Sequence, residues 1–377
     1  MANVSTNDDE KLFSSQTLAQ SNYVGIPARQ TSEHTEKTKY SKMYEGQLTN
    51  ALTTVNSKKT KHVEKLLDDG NQGWLFDLSE LGGGEVSLSD PDNNTLSMTS
   101  SQLLDIVGIY LTEKLPYKAS DEQLVKHLDC VLKVDSYMKI RGITSREDAI
   151  KQLKKDFRAL YNASTVATIT RHAKGGKKFS EKLEVRYIDA IPKGHIKDYA
   201  HFRIALSFAR YLAHTTMMPY PIIILTASKN KNVYYIGKKL AAHYNMNRKK
   251  TNATSISVDA LLNYTPEIPT FEEEYSRSRH YEQKCIRPLD NALTELVNIG
   301  VLTEYTWWHG KNKQLRDDEL NNWSFNRDSG KDFFIHFEFK EHPFDSKDDE
   351  NTKYIVQSLI EENPDKKSGS ESRKIGV

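Results

Sequence analysis

The sequence predicts an α+β protein with two winged-helix units, each a helix-turn-helix followed by a β-hairpin, and with disordered N- and C-terminal tails. Three observations lead to this prediction. The stretch from Pro269 to Gly300 combines helix signals with a cluster of basic side chains. Two runs typical of β-strands come after it, with a basic turn between them. The same order of helices and hairpin occurs in the first half of the chain, without a detectable repeat of sequence.

The stretch from Pro269 to Gly300 is expected to form one helix. A proline near the start and acidic residues in the first turn, here Glu272 to Glu274, both favour a helix N-terminus. Four apolar residues further on fall on one face at helical spacing: Leu289, Leu293, Leu296 and Val297. Asn298 to Gly300 is typical of a C-cap. Pro288 is expected to kink this helix or to restart it.

Five basic side chains lie between these signals: Arg277, Arg279, His280, Lys284 and Arg287. All of them except Arg279 are spaced by three or four residues and therefore share a helix face. Such a face carries donors for phosphate oxygens and for guanine edges. A basic face on an isolated helix is more often only a solvated surface, so the interpretation depends on the elements that come next in the chain.

A predicted β-hairpin comes directly after the helix. The run from Val301 to Trp308 alternates and is rich in β-formers, and Phe333 to Phe339 is a second run of this kind. The turn after the first run is basic and carries Lys311 and Lys313. Helix, glycine and hairpin in this order are typical of a winged helix-turn-helix. In that fold the helix enters the DNA groove and the tip of the hairpin touches the backbone.

Length and composition set limits on the function. The chain has 377 residues and a mass of 43.2 kDa, which is enough for two domains. Its formal net charge is +2, so a DNA-binding surface must come from local segregation of charge. Charged residues make up 28% and the mean hydropathy is −0.67, which suits a soluble cytoplasmic protein. No apolar run has the length of a membrane span or resembles a signal peptide.

Composition and element order divide the chain into four parts. Residues 1–85 are rich in Ser, Thr, Asn, Gln and charge, and are expected to be mostly disordered. The first winged-helix domain, with a linking helix, is expected to span residues 86–220. The second winged-helix domain is expected to span residues 221–345, and residues 346–377 form a polar C-terminal tail.

The first unit begins with an apolar helix from Leu103 to Leu111. Ser120 or Asp121 can cap a second helix that reaches about His127. The run from Val131 to Met138 is consistent with a strand or with a helix extension, and both interpretations stay open.

A strong amphipathic helix and a hairpin complete the first unit. Thr144 to Glu147 resembles a capping sequence, and the helix continues to about Tyr161. Its polar side carries Lys151, Lys154, Lys155 and Arg158. Thr165 to Arg171 and Leu183 to Ile188 are predicted strands. The basic, glycine-rich turn between these strands carries Lys174, Lys177 and Lys178.

An apolar-rich stretch from Gly194 to Leu212 is expected to be a helix that links or braces the two units. Prolines 219 and 221 would end it. The second unit is then expected to start with a helix from Val233 to Tyr244. A short helix from Val258 to Leu262, capped by Ser257, comes next.

No residue pattern points to catalysis, to a metal or to a cofactor. Cys130 and Cys285 lie far apart in predicted helices and are expected to be reduced thiols. His195 and His201, with Tyr199 between them, lack the spacing of the metal-binding pair that a nicking enzyme needs. We therefore expect a protein that is not an enzyme and that uses no cofactor and no metal.

The chain from about Leu96 to Phe339 resembles the replication initiators of theta-replicating plasmids and related phages, which have tandem winged-helix domains. Three stretches carry this resemblance: Leu103 to Leu111, Tyr234 to Leu240, and Arg279 to Leu289 with Ala292, Leu293 and Leu296. The match is one of layout and loose motif. It implies binding to repeated double-stranded DNA sites at an origin, and origin melting. It also implies a homodimer through the first domain that switches to a monomer, and contact with a host helicase or initiator.

The resemblance also implies which residues contact DNA. The major-groove helix of the second domain falls on Arg277, Arg279, His280, Lys284 and Arg287. The corresponding helix of the first domain falls on Lys151, Lys154, Lys155 and Arg158, with the wing at Lys174, Lys177 and Lys178. The leading hypothesis is a sequence-specific, double-stranded DNA-binding replication initiator. A transcriptional regulator or partition-type DNA-binding protein is the alternative, and a metal-dependent nicking initiator is less favoured.

Overall fold

The protein is described from a computed structural model, and its architecture is α+β, as predicted. The residues that the structure describes are 25–33, 40–44, 84–89, 96–116, 119–172, 178–192, 194–213, 217–226, 230–310, 312–340 and 360–362. Helices and strands below are numbered α1 to α12 and β1 to β14 in chain order.

The second unit has the element order of a winged helix. Its elements are α7 (Lys231–Asn247), β10 (Ser255–Ser257), α8 (Val258–Tyr264), α9 (Phe271–Tyr275), a π-helical turn (Glu282–Ile286), α10 (Arg287–Asn298), β11 (Leu302–His309), β12 (Lys313–Gln314), α11 (Asp317–Asn321), α12 (Ser329–Asp332) and β13 (Phe333–Phe339). Ser257 Oγ caps α8 by accepting from the Ala260 amide at 3.2 Å, as its position in the sequence predicts. Gly300, at a φ of 79°, lies just past the end of α10, which confirms the predicted C-cap.

The two hairpin strands of the second unit, β11 and β13, form the centre of its sheet. β11 and β13 pair antiparallel from Leu302 opposite Phe339 to His309 opposite Phe333. β10 pairs with the other side of β13, so the order is β11-β13-β10. β10, the short strand before the hairpin, thus pairs with β13, the second strand of the hairpin. This pairing is winged-helix topology, and the predicted fold class is confirmed.

The predicted single helix from Pro269 to Gly300 is wrong in one respect: a turn at residues 276–280 interrupts it. α9 ends at Tyr275, and the chain resumes helical geometry at Tyr281. Pro288 causes no second break: it lies at the start of α10, directly after the π-helical turn, and helical geometry continues through it. The π-helical turn and α10, residues 282–298, are called the recognition helix below.

The helices of the first unit agree closely with the prediction. They are α1 (Met98–Lys114), α2 (Asp121–Val125), α3 (Val134–Arg141) and α4 (Arg146–Asn162). Ser120 forms a capping box with Gln123 at the start of α2, and Ser145 caps α4. The run from Val131 to Met138, which was consistent with a strand or a helix, contains both: β4 (Asp129–Lys133) leads directly into α3. Cys130, expected in a helix, therefore lies in a strand.

The strands of the first unit are paired differently from those of the second. The predicted hairpin is present as β5 (Ser164–His172) and β6 (Lys178–Arg186), and β3 (Gly84–Ser89) adds to its outer edge. β4 does not join this hairpin. It pairs instead with β8 (Tyr199–Ile204), which in turn pairs with β7 (Ile188–Ala190). The two units thus share their order of helices and hairpin but not their sheet connections.

Strand β8 corrects the prediction of one helix from Gly194 to Leu212. Only α5 (Leu206–Ala213) is helical in that stretch. Side chains of β8 alternate between exposed and buried, with Tyr199 and His201 exposed and Ala200 and Phe202 buried. This period of two is the strand signal, and the apolar helix directly after it obscured it.

Parts of both predicted tails form strands. β1 (Arg29–Thr31) pairs with β11, and β2 (Tyr40–Tyr44) pairs with β9 (Met217–Pro221). β14 (Ile360–Glu362) pairs with β4, and Ile360 is buried there. The prediction of disordered tails is therefore wrong for these segments. None of these segments shows a strong hydrophobic pattern in the sequence, because each is a short edge strand whose partner is distant in sequence.

The two units share one contiguous core, with β9 and α6 (Ile223–Thr226) lying between them. A buried polar cluster crosses this junction. Lys238 Nζ of α7 donates to Asp105 Oδ1 of α1 at 2.6 Å. The hydroxyls of Tyr220 and Tyr234 donate to Asp105 Oδ2 at 2.8 and 2.7 Å. Both carboxylate oxygens are thus used, which is what a buried charge requires.

Candidate DNA-binding surfaces

The turn at residues 276–280 is organised by the buried carboxylate of Glu274. Glu274 Oε1 accepts from the His280 amide at 3.0 Å and from the Ser278 hydroxyl. Its main-chain carbonyl accepts from the amides of Arg277, Ser278 and Arg279 at 3.0–3.2 Å. Burial alone would raise the pKa of Glu274. The hydrogen bonds from Ser278 and His280, with the nearby cations, outweigh it and lower the pKa. The carboxylate therefore stays charged and holds the turn closed.

Arg279 has a left-handed backbone with a φ of 60°, which a residue other than glycine adopts only at a cost. The turn hydrogen bonds of Glu274 hold it there. The Arg279 guanidinium lies over the exposed ring of Tyr275, 4.9 Å from the ring centroid. Arg327 lies over the same ring at 5.4 Å. These cation–π contacts limit the conformations of Arg279 and leave its donors directed to solvent.

Exposed cations collect around the start of the recognition helix, whereas its acids are engaged. Arg277, Arg279, His280 and Lys284 are exposed. Glu274 is used by the turn, Glu272 pairs with Arg327, and Glu273 caps α9. Because the helix N-terminus itself attracts anions, the surface has the chemistry of a phosphate-binding site.

The prediction that Arg277, His280, Lys284 and Arg287 share one helix face is wrong. Arg277 and Arg279 lie in the turn, and His280 precedes the helix. Arg287 is half-buried, and its Nε and Nη2 donate to Glu282 Oε1 at 3.1 and 3.0 Å. The turn nevertheless brings the other four basic residues to the same end of the domain. The helical spacing was misleading because the amides of residues 277–280 donate to Glu274 rather than continuing the helix.

A buried carboxylate ties the recognition helix to the hairpin. Asp290 Oδ1 of α10 accepts from the Tyr305 hydroxyl at 2.7 Å and from Trp307 Nε1 at 3.1 Å, both on β11. Tyr305 also shares a hydrogen bond with Thr294 of α10. Burial raises the pKa of Asp290 to about 6, and the two hydrogen bonds only partly offset this effect. These hydrogen bonds therefore fix α10 against β11.

The wing of the second unit, residues 310–332, is supported by the N-terminal segment. Asn321 of α11 contacts Ile26 twice, accepting from its amide at 2.8 Å and donating to its carbonyl at 3.0 Å. Asp317 accepts from the Ala28 amide at 2.9 Å. Sequence reasoning missed this support, since the contacting residues are nearly 300 positions apart. Lys313, predicted to touch DNA, is exposed but pairs with Glu319 at 2.8 Å. Lys311 lies outside the described residues.

The basic face of the first unit is present on α4. Lys151, Lys154, Lys155 and Arg158 are all exposed, as predicted. Lys151 pairs with Glu147 at 2.8 Å, whereas the other three form no ion pair with any residue that the structure describes. Of the predicted wing residues, Lys174 and Lys177 lie outside the described residues. Lys178 begins β6, and its side chain is not among those described.

A buried carboxylate orients this basic face. Asp156, on the opposite side of α4, accepts from Thr99 Oγ1, Ser100 Oγ and Gln152 Nε2 at 2.8–2.9 Å. Thr99 and Ser100 lie in the first turn of α1, so these hydrogen bonds set the rotation of α4 against α1. Burial raises the pKa of Asp156, although the hydrogen bonds oppose the shift.

The described residues give no support for a metal site. Among them, no group of three or more His, Cys, Asp or Glu side chains could hold a metal ion. Cys130 and Cys285, both within the described residues, are buried and are not joined in a disulfide. Within the same parts of the chain, no helix is long and apolar enough to cross a membrane.

The fold and these surfaces define a winged-helix protein with cations exposed at the helix-turn-helix of its second unit. Neither protein-family models nor curated proteins gave a match. Among solved structures, the chain is similar to domains 2–3 of RctB, with 9% identity over 77% of this chain and 96% of that chain and a TM-score of 0.41. Selenomethionine derivatives of domains 2 and 3 of RctB match at 8% identity, with coverages of 77% and 99% and a TM-score of 0.40.

A third similar structure is the MSBI1.176 WH1 domain, a replication protein isolated from a multiple sclerosis patient. It has 14% identity over 32% of this chain and 87% of that chain, with a TM-score of 0.21.

Proposed function

We propose that the chain is a sequence-specific, double-stranded DNA-binding protein that initiates DNA replication at repeated origin sites, without catalysis of its own. One observation carries the proposal. Arg277, Arg279, His280 and Lys284 are exposed around the start of a recognition helix whose neighbouring acids are already engaged. A helix presented in this way, beside a wing, is how winged-helix proteins enter a major groove. The replication role is supported by the resemblance of the sequence to plasmid initiators.

Each cation has a role that its geometry indicates. Arg279, restrained by Tyr275 and with free guanidinium donors, is suited to bidentate contact with a guanine edge. Arg277 and Lys284 are exposed without such restraint, so they suit phosphate contacts, which fix position more than sequence. In the first unit, Lys154, Lys155 and Arg158 offer a second set of phosphate contacts.

The basic test is a fluorescence-anisotropy titration of the full chain. The probes are DNA from the region flanking its own gene and a scrambled duplex, each at two salt concentrations. We expect clear preference for the flanking DNA. Equal binding to both duplexes would contradict sequence specificity. Replication of a plasmid that lacks its own initiator then separates an initiator from a transcriptional regulator or partition-type protein. A covalent tyrosine–DNA adduct would contradict the absence of catalysis.

Arg279→Gly is expected to weaken binding to the cognate site by about 1–3 kcal/mol and to leave binding to scrambled DNA nearly unchanged. Glycine adopts a positive φ without strain, so this substitution removes the side chain and leaves the turn intact. Anisotropy titrations on both duplexes provide the measurement. Arg210→Ala, at a partly exposed arginine of α5 paired with Asp121, is the control. The same loss on both duplexes would show that Arg279 reads no base.

Lys284→Ala is expected to weaken binding to cognate and scrambled DNA alike. It should flatten the plot of log affinity against log salt by about one unit, because one phosphate contact and its counterion are lost. Lys126→Ala, an exposed lysine of the first unit outside both basic surfaces, is the control and should leave the slope unchanged. An unchanged slope for Lys284→Ala would place this side chain outside the DNA contact.

The proposal also includes protein partners of the chain. A homodimer through the first unit and contact with a host helicase or initiator are implied by the family resemblance alone. In this chain β14 occupies the free edge of β4, so a second copy could not pair at that edge while β14 is bound. Sedimentation of the full chain with and without origin DNA tests the dimer.

A further inference from the structure

Asn291, in the middle of the recognition helix, is an exposed residue that none of the DNA contacts proposed above uses. Four residues of this helix are exposed: Gln283, Lys284, Asn291 and Asn298. Asn291 and Asn298 are seven positions apart in α10, which is close to two helical turns, so they lie on the same side. Lys284, assigned above to a phosphate, is exposed about two turns before Asn291. The exposed side of the helix therefore continues from this lysine to two asparagines.

Buried side chains fix the rotation of α10 that exposes Asn291. The buried residues of α10 are Leu289, Asp290, Ala292, Leu293, Leu296 and Val297. Each residue of an α-helix is turned by about 100° from the one before, so Asn291 points away from the centre of this buried face. Asp290 accepts hydrogen bonds from Tyr305 and Trp307, which hold the buried face against β11. Asn291 is thus presented to solvent by a helix of fixed orientation.

The fold of the described residues gives no reason for an asparagine at position 291. Asparagine is less favourable than alanine inside a helix, because its side chain competes for backbone hydrogen bonds. The Asn291 side chain forms no hydrogen bond with any residue that the structure describes. Asn298 differs, since it is the last residue of α10 and asparagine suits helix ends. The Asn291 carboxamide is therefore an unused hydrogen-bonding group that helix stability does not explain.

A carboxamide on this surface has the chemistry to recognise adenine. It carries two N–H donors and one acceptor oxygen. In the major groove adenine presents the N7 acceptor beside the N6 amino donor, and asparagine pairs with both at once. Glu295, one turn after Asn291, is partly exposed, and its carboxylate repels phosphates. It marks the C-terminal limit of the DNA-binding side, so Asn291 lies within this limit and Asn298 lies beyond it.

We propose that Asn291 reads one adenine of the DNA site, with Nδ2 donating to N7 and Oδ1 accepting from the N6 amino group. The proposal rests on the DNA-binding function proposed above, and adds an A·T pair to the site. Arg279 lies in the turn before the recognition helix, whereas Asn291 lies more than two turns into it. The guanine assigned to Arg279 and this adenine are therefore different positions of the site.

The test uses a duplex from the flanking DNA that the full chain prefers, with each adenine in turn replaced by 7-deazaadenine. This analogue keeps base pairing and the N6 amino group but lacks the N7 acceptor. At one adenine we expect the affinity of the unmodified chain to fall by about 5- to 100-fold, the range that a bidentate base contact supplies. Fluorescence anisotropy provides the measurement, and a scrambled duplex is titrated in parallel.

Asn291→Ala is expected to weaken binding of the preferred duplex by a similar factor and to abolish the response to 7-deazaadenine at that position. Binding of scrambled DNA should be retained, because the lost contact carries sequence information and not backbone affinity. Asn298→Ala makes the same chemical change on the same helix, beyond Glu295, and is the matched control. It should keep both the affinity and the response. Alanine favours a helix, so the thermal midpoint of Asn291→Ala should not fall.

Three results would overturn the inference while leaving the DNA-binding function intact. One is a preferred duplex in which no adenine responds to the replacement. The second is a response that Asn291→Ala retains in full. The third is the same loss of response in Asn298→Ala, which would assign the effect to the helix as a whole. If the unmodified chain prefers none of the flanking DNA over scrambled DNA, the sequence-specific function itself fails, and the inference fails with it.

Discussion

Replacing Asp105 with alanine is expected to destabilise the protein by about 3–5 kcal/mol, the cost of leaving a buried charge without its partner. The side chains of Lys238 and Asp105 are 0% and 2% exposed, and their ion pair measures 2.6 Å. Tyr220 and Tyr234 would lose their acceptor in the same substitution. Since the pair joins α1 to α7, the loss should appear as loosening between the two units before either unit unfolds.

The measurement is chemical unfolding of Asp105→Ala, monitored by tryptophan fluorescence and by limited proteolysis between the units. The double variant Asp105→Leu with Lys238→Met is expected to recover part of the stability, because it leaves no buried charge without a partner, although the hydroxyls of Tyr220 and Tyr234 still lack their acceptor. Glu267→Ala, which removes the exposed pair with Lys231, is the matched control and should cost less than about 1 kcal/mol. Equal effects of Asp105→Ala and Glu267→Ala would show that the buried pair does not hold the units together.

Removing the charge of Asp290 is expected to change how the stability of the second unit depends on pH. The pKa of Asp290 is raised to about 6 in the folded protein, whereas an unfolded aspartate has a pKa near 3.8. A raised carboxyl pKa means that the folded state favours the proton. Stability from this group is therefore present at low pH and is lost as pH rises from about 4 to 6. A pKa difference of about 2 between the folded and unfolded states corresponds to about 3 kcal/mol.

The comparison is between the unmodified chain and Asp290→Asn, with the free energy of unfolding measured from pH 4 to pH 7. The variant should lack the decline attributed to Asp290, so the difference between the two curves should widen as pH rises from about 4 to 6 and stay constant above that. Asp290→Ala serves a separate purpose. It leaves the buried indole N–H of Trp307 without an acceptor and should cost about 1–3 kcal/mol at every pH. Parallel curves for the unmodified chain and Asp290→Asn would contradict the raised pKa.

Local signals in the sequence predicted most helices correctly because they depend on neighbouring residues. Ser145 caps α4 and Ser257 caps α8, and in each case the capped amide lies three positions away. The hairpin strand β13 was predicted with its observed bounds, since alternation of buried and exposed side chains is also a local property.

The errors have two causes, a local contact of one side chain and pairing between strands that are distant in sequence. The spacing of basic residues across 276–280 fits a helix, but the chain turns there because Glu274 can satisfy the turn amides. Strands β1 and β14 exist only through partners in β11 and β4, hundreds of positions away. No local periodicity in three residues can distinguish such an edge strand from an extended tail.

The sequence by itself determined the α+β class and the winged-helix order of elements, and it supplied the basic residues predicted to contact DNA, because capping, periodicity and charge are encoded over a few positions. Only the tertiary structure decided which of those cations are free. It paired Arg287 with Glu282 and Lys313 with Glu319, and it held Arg279 against Tyr275. It also decided that Asp105 and Lys238 meet across the junction. These outcomes depend on distances between side chains that chain folding alone creates, since Coulomb energy and hydrogen bonding act over ångströms in space and not over positions in sequence.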